Sequence, residues 1–221
     1  MGFDVKNTTF FGLFDLLFPH SCRCCGRLGD VLCERCKKHN NSCIIKICAR
    51  CKKSIAECKC VCPVYTVAWR EGVMSDLVEE YKYKSVRDIA KILAEMLNDA
   101  IPSSVSEALI VPLPTIGRHI RERGFDHTRL LAENLAKCRP GFRVQEIIKR
   151  CGKNVQVGAD EKTRKLQASK AYEVLQKVDA TKRYLLLDDV WTTGASMEAA
   201  MKVIRKAGAK DVMGAVVVAG R

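Results

Sequence analysis

The sequence predicts an α/β domain built on a parallel sheet, preceded by a small cysteine-rich module of the double zinc-ribbon type. Three observations lead there. From Pro63 onward, short apolar runs with the pattern of buried strands alternate with stretches of helical periodicity, the signature of strands joined by helical crossovers. Eleven of the 13 cysteines fall between Cys22 and Cys62. Residues 20–62 otherwise hold few large apolar side chains, so that segment cannot fold on a hydrophobic core alone and needs a staple. The expected division is therefore 1–62, an N-terminal arm with the cysteine module, and 63–221, the α/β domain.

Taken in order, residues 1–18 read as a short amphipathic arm carrying Phe10, Phe11, Leu13, Phe14, Leu16 and Leu17, ended by Pro19. In the second half, 64–70 reads as a strand, and 75–83 and 86–100 as helices, the latter with Ile89, Ile92, Leu93, Met96 and Leu97 on one face. Residues 108–114 read as a buried strand, 125–137 as a helix, 144–148 and 184–189 as strands, 196–208 as a helix closed by Gly208, and 211–220 as a last strand. The polar, lysine-rich stretch 152–170 reads as a mobile loop.

Composition excludes several classes. With 221 residues, 48% of them hydrophobic, the chain is not wholly disordered. No apolar run approaches the roughly 18 residues of a membrane span. The segment FFGLFDLLF is short, interrupted by Asp15, and not followed by a small-residue cleavage site, so a cytoplasmic location is expected. The 38 Lys+Arg outnumber the 25 Asp+Glu by 13, which favours an anionic partner without specifying one.

In a reducing compartment, clustered cysteines point to metal thiolates rather than disulfides. Cys22, Cys25, Cys33 and Cys36 make two C-x-x-C knuckles, a closed tetrahedral zinc set. A second set starts with Cys48 and Cys51 and is completed by Cys58 and Cys60, with Cys62 as the competing ligand. Cys24 and Cys43 remain unassigned. Two filled Zn2+ sites would lower the net charge from +13 to about +9. The module is basic enough to touch nucleic-acid phosphates, yet nearly lacks aromatics for base stacking.

The most informative segment is Tyr184 to Ser196. An apolar strand ends in Asp188 and Asp189, then Val190, Trp191, Thr192, Thr193, Gly194, Ala195 and Ser196 lead into a helix. The carboxyl end of a strand in an open sheet is where ligands bind, and a helix N-terminus offers free N–H groups to a phosphate. Two adjacent carboxylates would repel a bare phosphate; they suit sugar hydroxyls or a ligand-bound Mg2+. A plain strand-to-helix turn would account for Ser196 as a cap but not for the acidic pair.

This segment resembles the 5-phosphoribosyl-1-pyrophosphate (PRPP) motif of type I phosphoribosyltransferases. Together with the cysteine-rich N-terminus, VPLP at 111–114, RERGFDH at 121–127 and EYKYKSVRDIAKILA at 80–94, it resembles the ComF family of late-competence proteins from Leu16 onward. The resemblance implies a type I phosphoribosyltransferase-like domain behind a double zinc ribbon. It implies that Asp188 and Asp189 are the catalytic pair, holding the ribose hydroxyls directly or through Mg2+, and that Val190 and Thr192 to Ser196 cradle the 5′-phosphate. Arg118, Arg121, Arg123 and Lys84 are the implied pyrophosphate cations. The basic stretch that also includes His119, His127 and Arg129 is open to a second reading, as a solvated face or a DNA-phosphate contact. Gln156 and Gly158 match the family's mobile loop, whereas Gln167 follows Arg164 where the family has Asn. Trp191 is larger than the expected residue and suits either a stacked base or internal packing.

Two functions follow from the resemblance. One is a phosphoribosyltransferase that displaces pyrophosphate at C1 of ribose through an oxocarbenium-like centre. In it, cations and Asp188/Asp189 stabilise charge and loop closure excludes water. No protein nucleophile is needed, so Cys151 is expected to serve packing. The other is a non-catalytic competence factor for DNA uptake or single-stranded DNA processing, beside a helicase-like partner, that keeps the fold as a scaffold.

Overall fold

The computed structural model describes residues 20–41, 45–60, 62–83, 87–151 and 171–220. The expected N-terminal arm, Cys43, Lys84 and the 152–170 segment with Gln156, Gly158, Arg164 and Gln167 lie outside the described residues. The chain falls into two compact units, 1–39 and 40–221.

In the first unit, β1 (His20–Ser21) pairs antiparallel with β2 (Leu28–Gly29), and the chain turns into α1 (Glu34–Asn41). Val31 and Leu32 are its main buried apolar residues, beside buried Cys22, Cys33 and Cys36.

The second unit is a six-stranded sheet in the order β3 (Ile45–Cys48), β4 (Pro63–Trp69), β10 (Asp211–Ala219), β9 (Arg183–Trp191), β5 (Glu107–Pro112) and β6 (Gly141–Val144). All pairings are parallel except β3 on β4. Leu185, Leu186 and Leu187 of β9 are fully buried on both faces, as a central parallel strand requires. One face, with Val64, Leu186 and Val216, packs against Met197, Ala200 and Met201 of α6 (Ala195–Lys206). The other is covered by α3 (Arg87–Ala100) and α5 (His127–Cys138), whose Leu93, Leu97, Leu131 and Leu135 are fully buried. α2 (Gly72–Tyr83) precedes α3.

Ile45 and Ile47 of β3 pair with Thr66 and Val64, which places the second cysteine set at the sheet edge within the second unit. Two features differ from the sequence reading. The single strand expected at 144–148 is two: β6 ends at Val144, and Ile148 opens β7 (Ile148–Arg150), which pairs antiparallel with β8 (Tyr172–Val174). The basic stretch after β5 forms a short helix, α4 (Gly117–Arg123), ended by left-handed Gly124 (φ 78°). Asp126 then caps α5, accepting from the N–H groups of Thr128 (3.1 Å) and Arg129 (3.2 Å).

Candidate functional site

The turn from β9 to α6 is built around Trp191 and Gly194. Trp191 is buried, and the Gly220 N–H donates to its carbonyl at 2.7 Å, tying the turn to the end of β10. Gly194 is left-handed (φ 73°), and a Cβ there would stand 2.2 Å from Cζ2 of Trp191. Only glycine lets the backbone pass over this indole. Gly194, not Ser196, is the helix cap, and its carbonyl accepts from the Glu198 N–H at 2.9 Å. The turn closes on a cavity of ≈ 40 Å³ lined by Asp188, Thr192, Thr193, Ala195 and Ser196. Trp191 is thus a packing residue beneath the turn.

Strand pleating sends the two carboxylates in opposite directions. Asp189 is only 4% exposed, and its Oδ2 lies 2.8 Å from Nζ of Lys82 and 3.3 Å from Nε2 of His127. Arg123 Nη1 is 3.1 Å from Nδ1 of the same imidazole. A guanidinium can only donate, so Nδ1 accepts and the ring proton sits on Nε2, facing Asp189. Tyr81 fixes the segment by donating its hydroxyl to the His127 carbonyl. Burial alone would raise the Asp189 pKa; the hydrogen bond from His127 and the charge of Lys82 outweigh it and hold the carboxyl well below its usual range. Asp188 is half-buried and accepts from the Asp189 N–H at 2.9 Å. Burial and then the Asp189 charge push it well above the usual carboxylate range.

Asp188 opens onto a second cavity of ≈ 190 Å³, walled by Lys82, Thr115, Arg123, Arg150, Tyr172 and Ser196 among others. Three elements supply cations: Lys82 from α2, Arg123 from α4 and Arg150 from β7, whose guanidinium lies 5.9 Å from the Tyr172 ring. Of the pyrophosphate candidates, Arg123 lines the cavity. Arg118 does not, being exposed and paired with Glu122 at 3.2 Å; neither does Arg121, which is exposed. Sequence reasoning missed Lys82 of α2, two positions before Lys84 in the sequence. Arg150 and Tyr172 carry no sequence signal, because they meet through the β7–β8 pair across a long chain separation.

The cysteines gather into two sets, Cys22/Cys25/Cys33/Cys36 and Cys48/Cys51/Cys58/Cys60, with the sulfurs of each within 4.8 Å of one another. Sulfurs around a tetrahedral zinc stand about 3.8 Å apart for Zn–S bonds of about 2.3 Å. Cys25 and Cys33 are at 3.7 Å, and Cys51 and Cys58 at 3.3 Å. Backbone N–H groups aim at the sulfurs: Cys33 at Cys22 (3.4 Å), Arg50 at Cys48 (3.4 Å) and Cys60 at Cys58 (3.1 Å). Burial works against the Cys22 and Cys48 thiolates, yet the N–H of Cys33 at Cys22 and those of Cys51 (3.5 Å) and Arg50 at Cys48 help bring each down to about 6. The Cys60 N–H favours the Cys58 thiolate, but neighbouring Cys48 and burial push it up to about 12. Both donor sets fit zinc. Cys62 stands outside the second set; its sulfur accepts from Arg205 Nη1 at 2.8 Å. Cys151, expected to pack internally, is exposed, because it follows the last residue of the peripheral β7 and faces Glu173.

The fold and site define a mixed α/β protein with a mainly parallel sheet, a strand-end carboxylate pair and two ribbon-type four-cysteine clusters. No family model matches the chain. It is 25% identical over 211 residues to competence protein ComFC of Streptococcus pneumoniae, covering 92% of this chain and 90% of the relative. It is 27% identical over 151 residues to competence protein F of Haemophilus influenzae, covering 63% of this chain and 65% of that one. Homologues of the competence-F type thus cover most of the chain, and ComF is the family the comparisons support. A solved structure described as the allosteric regulatory enzyme of purine biosynthesis aligns with a TM-score of 0.44 and 16% identity, over 63% of this chain and 30% of its own length. Among the described residues, no helix is long and apolar enough to cross a membrane.

Proposed function

We propose that the chain binds a phosphorylated ribose donor of the PRPP type at the end of β9, and acts as a phosphoribosyltransferase-like competence protein. The observation that carries this reading is the convergence of Asp188, Ser196 and three cations on one cavity beside the glycine turn. The Thr192–Ser196 turn supplies hydroxyls and helix N–H groups for the 5′-phosphate. Asp188 takes the ribose hydroxyls and is the residue to hold a ligand-bound Mg2+, which would supply charge neutralisation. Lys82, Arg123 and Arg150 face the pyrophosphate. Asp189 acts as a positioning residue, because its carboxylate is already committed to Lys82 and His127. Zinc, held by the two cysteine sets, would serve as a cross-link in place of a hydrophobic core. The relatives' competence names support a role in DNA uptake or single-strand processing, to which a net charge of +13 is suited.

Titration calorimetry with PRPP and Mg2+ tests the reading. Saturable binding is expected, with Asp188→Asn weakening it at least tenfold while far-UV circular dichroism stays unchanged. Equal affinity in the variant would remove Asp188 from the site, and no binding to the parent would remove the ribose-phosphate reading.

A further inference from the structure

A larger cavity, ≈ 600 Å³, opens on the far side of the Thr192–Thr193 turn, between it and the second cysteine knuckle. It is within the size range of small-molecule sites. Its walls include Trp69 and Trp191, the ends of β4 and β9, together with Lys46, Lys52, Thr192 and Thr193. None of its described lining residues is acidic. The Lys52 ammonium lies 4.7 Å from the centre of the Trp191 ring, within 2.7 Å of the Ala49 carbonyl and 3.5 Å of Glu198.

Lys52 is held there at a conformational cost. It is the one non-glycine residue with positive φ (64°) among the described residues. It directly follows the second cysteine of its knuckle. In the first knuckle the corresponding position, after Cys25, is Gly26 with φ 74°. The turn therefore asks for glycine, and this chain places a lysine that reaches over an indole. Strain of this kind persists where a side chain is needed.

We propose that this cleft binds a nucleotide, its base against the half-buried Trp69 and its phosphate on Lys46 and Lys52, with Trp191 as a buried wall. Aromatic faces accept any base, while ammonium groups and hydroxyls select the attached anion. The cleft shares Trp191, Thr192 and Thr193 with the phosphate turn but not Asp188 or Ser196, so an Asp188 variant distinguishes failure of one reading from failure of the other. The second cysteine set shapes one wall through the Cys51–Lys52 turn, which links metal at that set to the cleft.

The chain has only two tryptophans, and both line this cleft; Trp191 also lines the turn beside Asp188, so quenching is read in the parent and in Asp188→Asn to assign it to the cleft. Zinc-loaded protein is titrated with AMP and, in parallel, with a 5′-phosphorylated oligo-dA hexamer; adenosine and inorganic phosphate are the partial probes. Saturable quenching is expected with AMP or the hexamer, at least tenfold tighter than with either partial probe. Quenching by AMP assigns a free nucleotide, and quenching by the hexamer alone assigns a strand end. Lys52→Asn removes the ammonium but tolerates the left-handed backbone; it should weaken binding about tenfold. Lys46→Ala, on an exposed strand position, is the second variant and should weaken binding in the same direction. Asp188→Asn should leave the affinity unchanged. Absence of quenching by both nucleotide probes, unaltered affinity in both lysine variants, or loss of binding in Asp188→Asn would each overturn the proposal.

Discussion

Gly194→Ala perturbs one atom at the centre of the candidate site, and its effect can be worked from the geometry. Alanine at φ 73° incurs the left-handed penalty, about 1–2 kcal/mol. The new Cβ, 2.2 Å from Cζ2 of Trp191, meets a side chain that is 5% exposed and cannot swing clear. Overpacking of that kind costs about 1–3 kcal/mol. Together these predict a loss of about 2–5 kcal/mol, a large part of a typical domain's stability. For a chain of this size the melting temperature should fall by about 4–20 °C. The assay is thermal unfolding followed by circular dichroism, with PRPP calorimetry at a temperature where the variant is folded. Trp191→Leu provides the internal control. In the double variant the clash is gone but the dihedral penalty stays, so the coupling energy should recover about 1–3 kcal/mol. A single variant melting within about 1 °C of the parent would refute the steric argument. Additive losses in the double variant would refute the assignment of the clash to Trp191.

Metal removal and pH supply the other predictions. Chelation of zinc should raise hydrogen exchange at Ile45–Cys48 by at least tenfold while β9 and β10 stay protected, because β3 is an edge strand with the second cysteine set at its end; unchanged exchange would dismiss metal as a staple there. The two carboxylates should have opposite linkage. The lowered Asp189 pKa contributes stability above the unfolded carboxylate value and loses it as pH falls through the folded one; the raised Asp188 pKa makes the fold less stable as pH rises through that window. At pH 7, Asp189→Asn should therefore lower the melting temperature and Asp188→Asn raise it, with the Asp188→Asn gain disappearing below about pH 4; shifts of the same sign in both variants would contradict the geometry.

The sheet was legible because its strands are buried on both faces, and continuous apolar runs such as 184–187 and 215–219 have no other economical use in a chain of this length. The cysteine sets were legible because ligand spacing is a local constraint. What could not be read was decided by contacts distant in sequence. β3 is four residues of ordinary composition, and only its partner β4 makes it a strand. α4 has no apolar periodicity; it is fixed by a left-handed glycine and the Asp126 cap that follows. Arg150 and Tyr172 face Asp188 from a hairpin whose strands enclose more than twenty residues. Even the acidic pair was only half legible. Its place at the strand end was clear, while the division between an outward Asp188 and an inward Asp189 needed the positions of Lys82 and His127.

That division gives the site its logic. A single carboxylate facing a cavity lined by three cations would be drawn into ion pairs with them and closed to a ligand. Here Asp189 takes up Lys82 and, through His127, Arg123, so the cations are oriented by a buried charge that never faces the ligand. Asp188 is left with the Asp189 N–H as its internal donor and a pKa raised by burial and by its neighbour. It is costly to keep ionised without a partner, and a partner that brings hydroxyl donors or a divalent cation removes that cost. The adjacent pair thus separates two tasks that one acidic residue could not perform together: arranging the positive charge that meets the phosphates, and remaining available to the sugar.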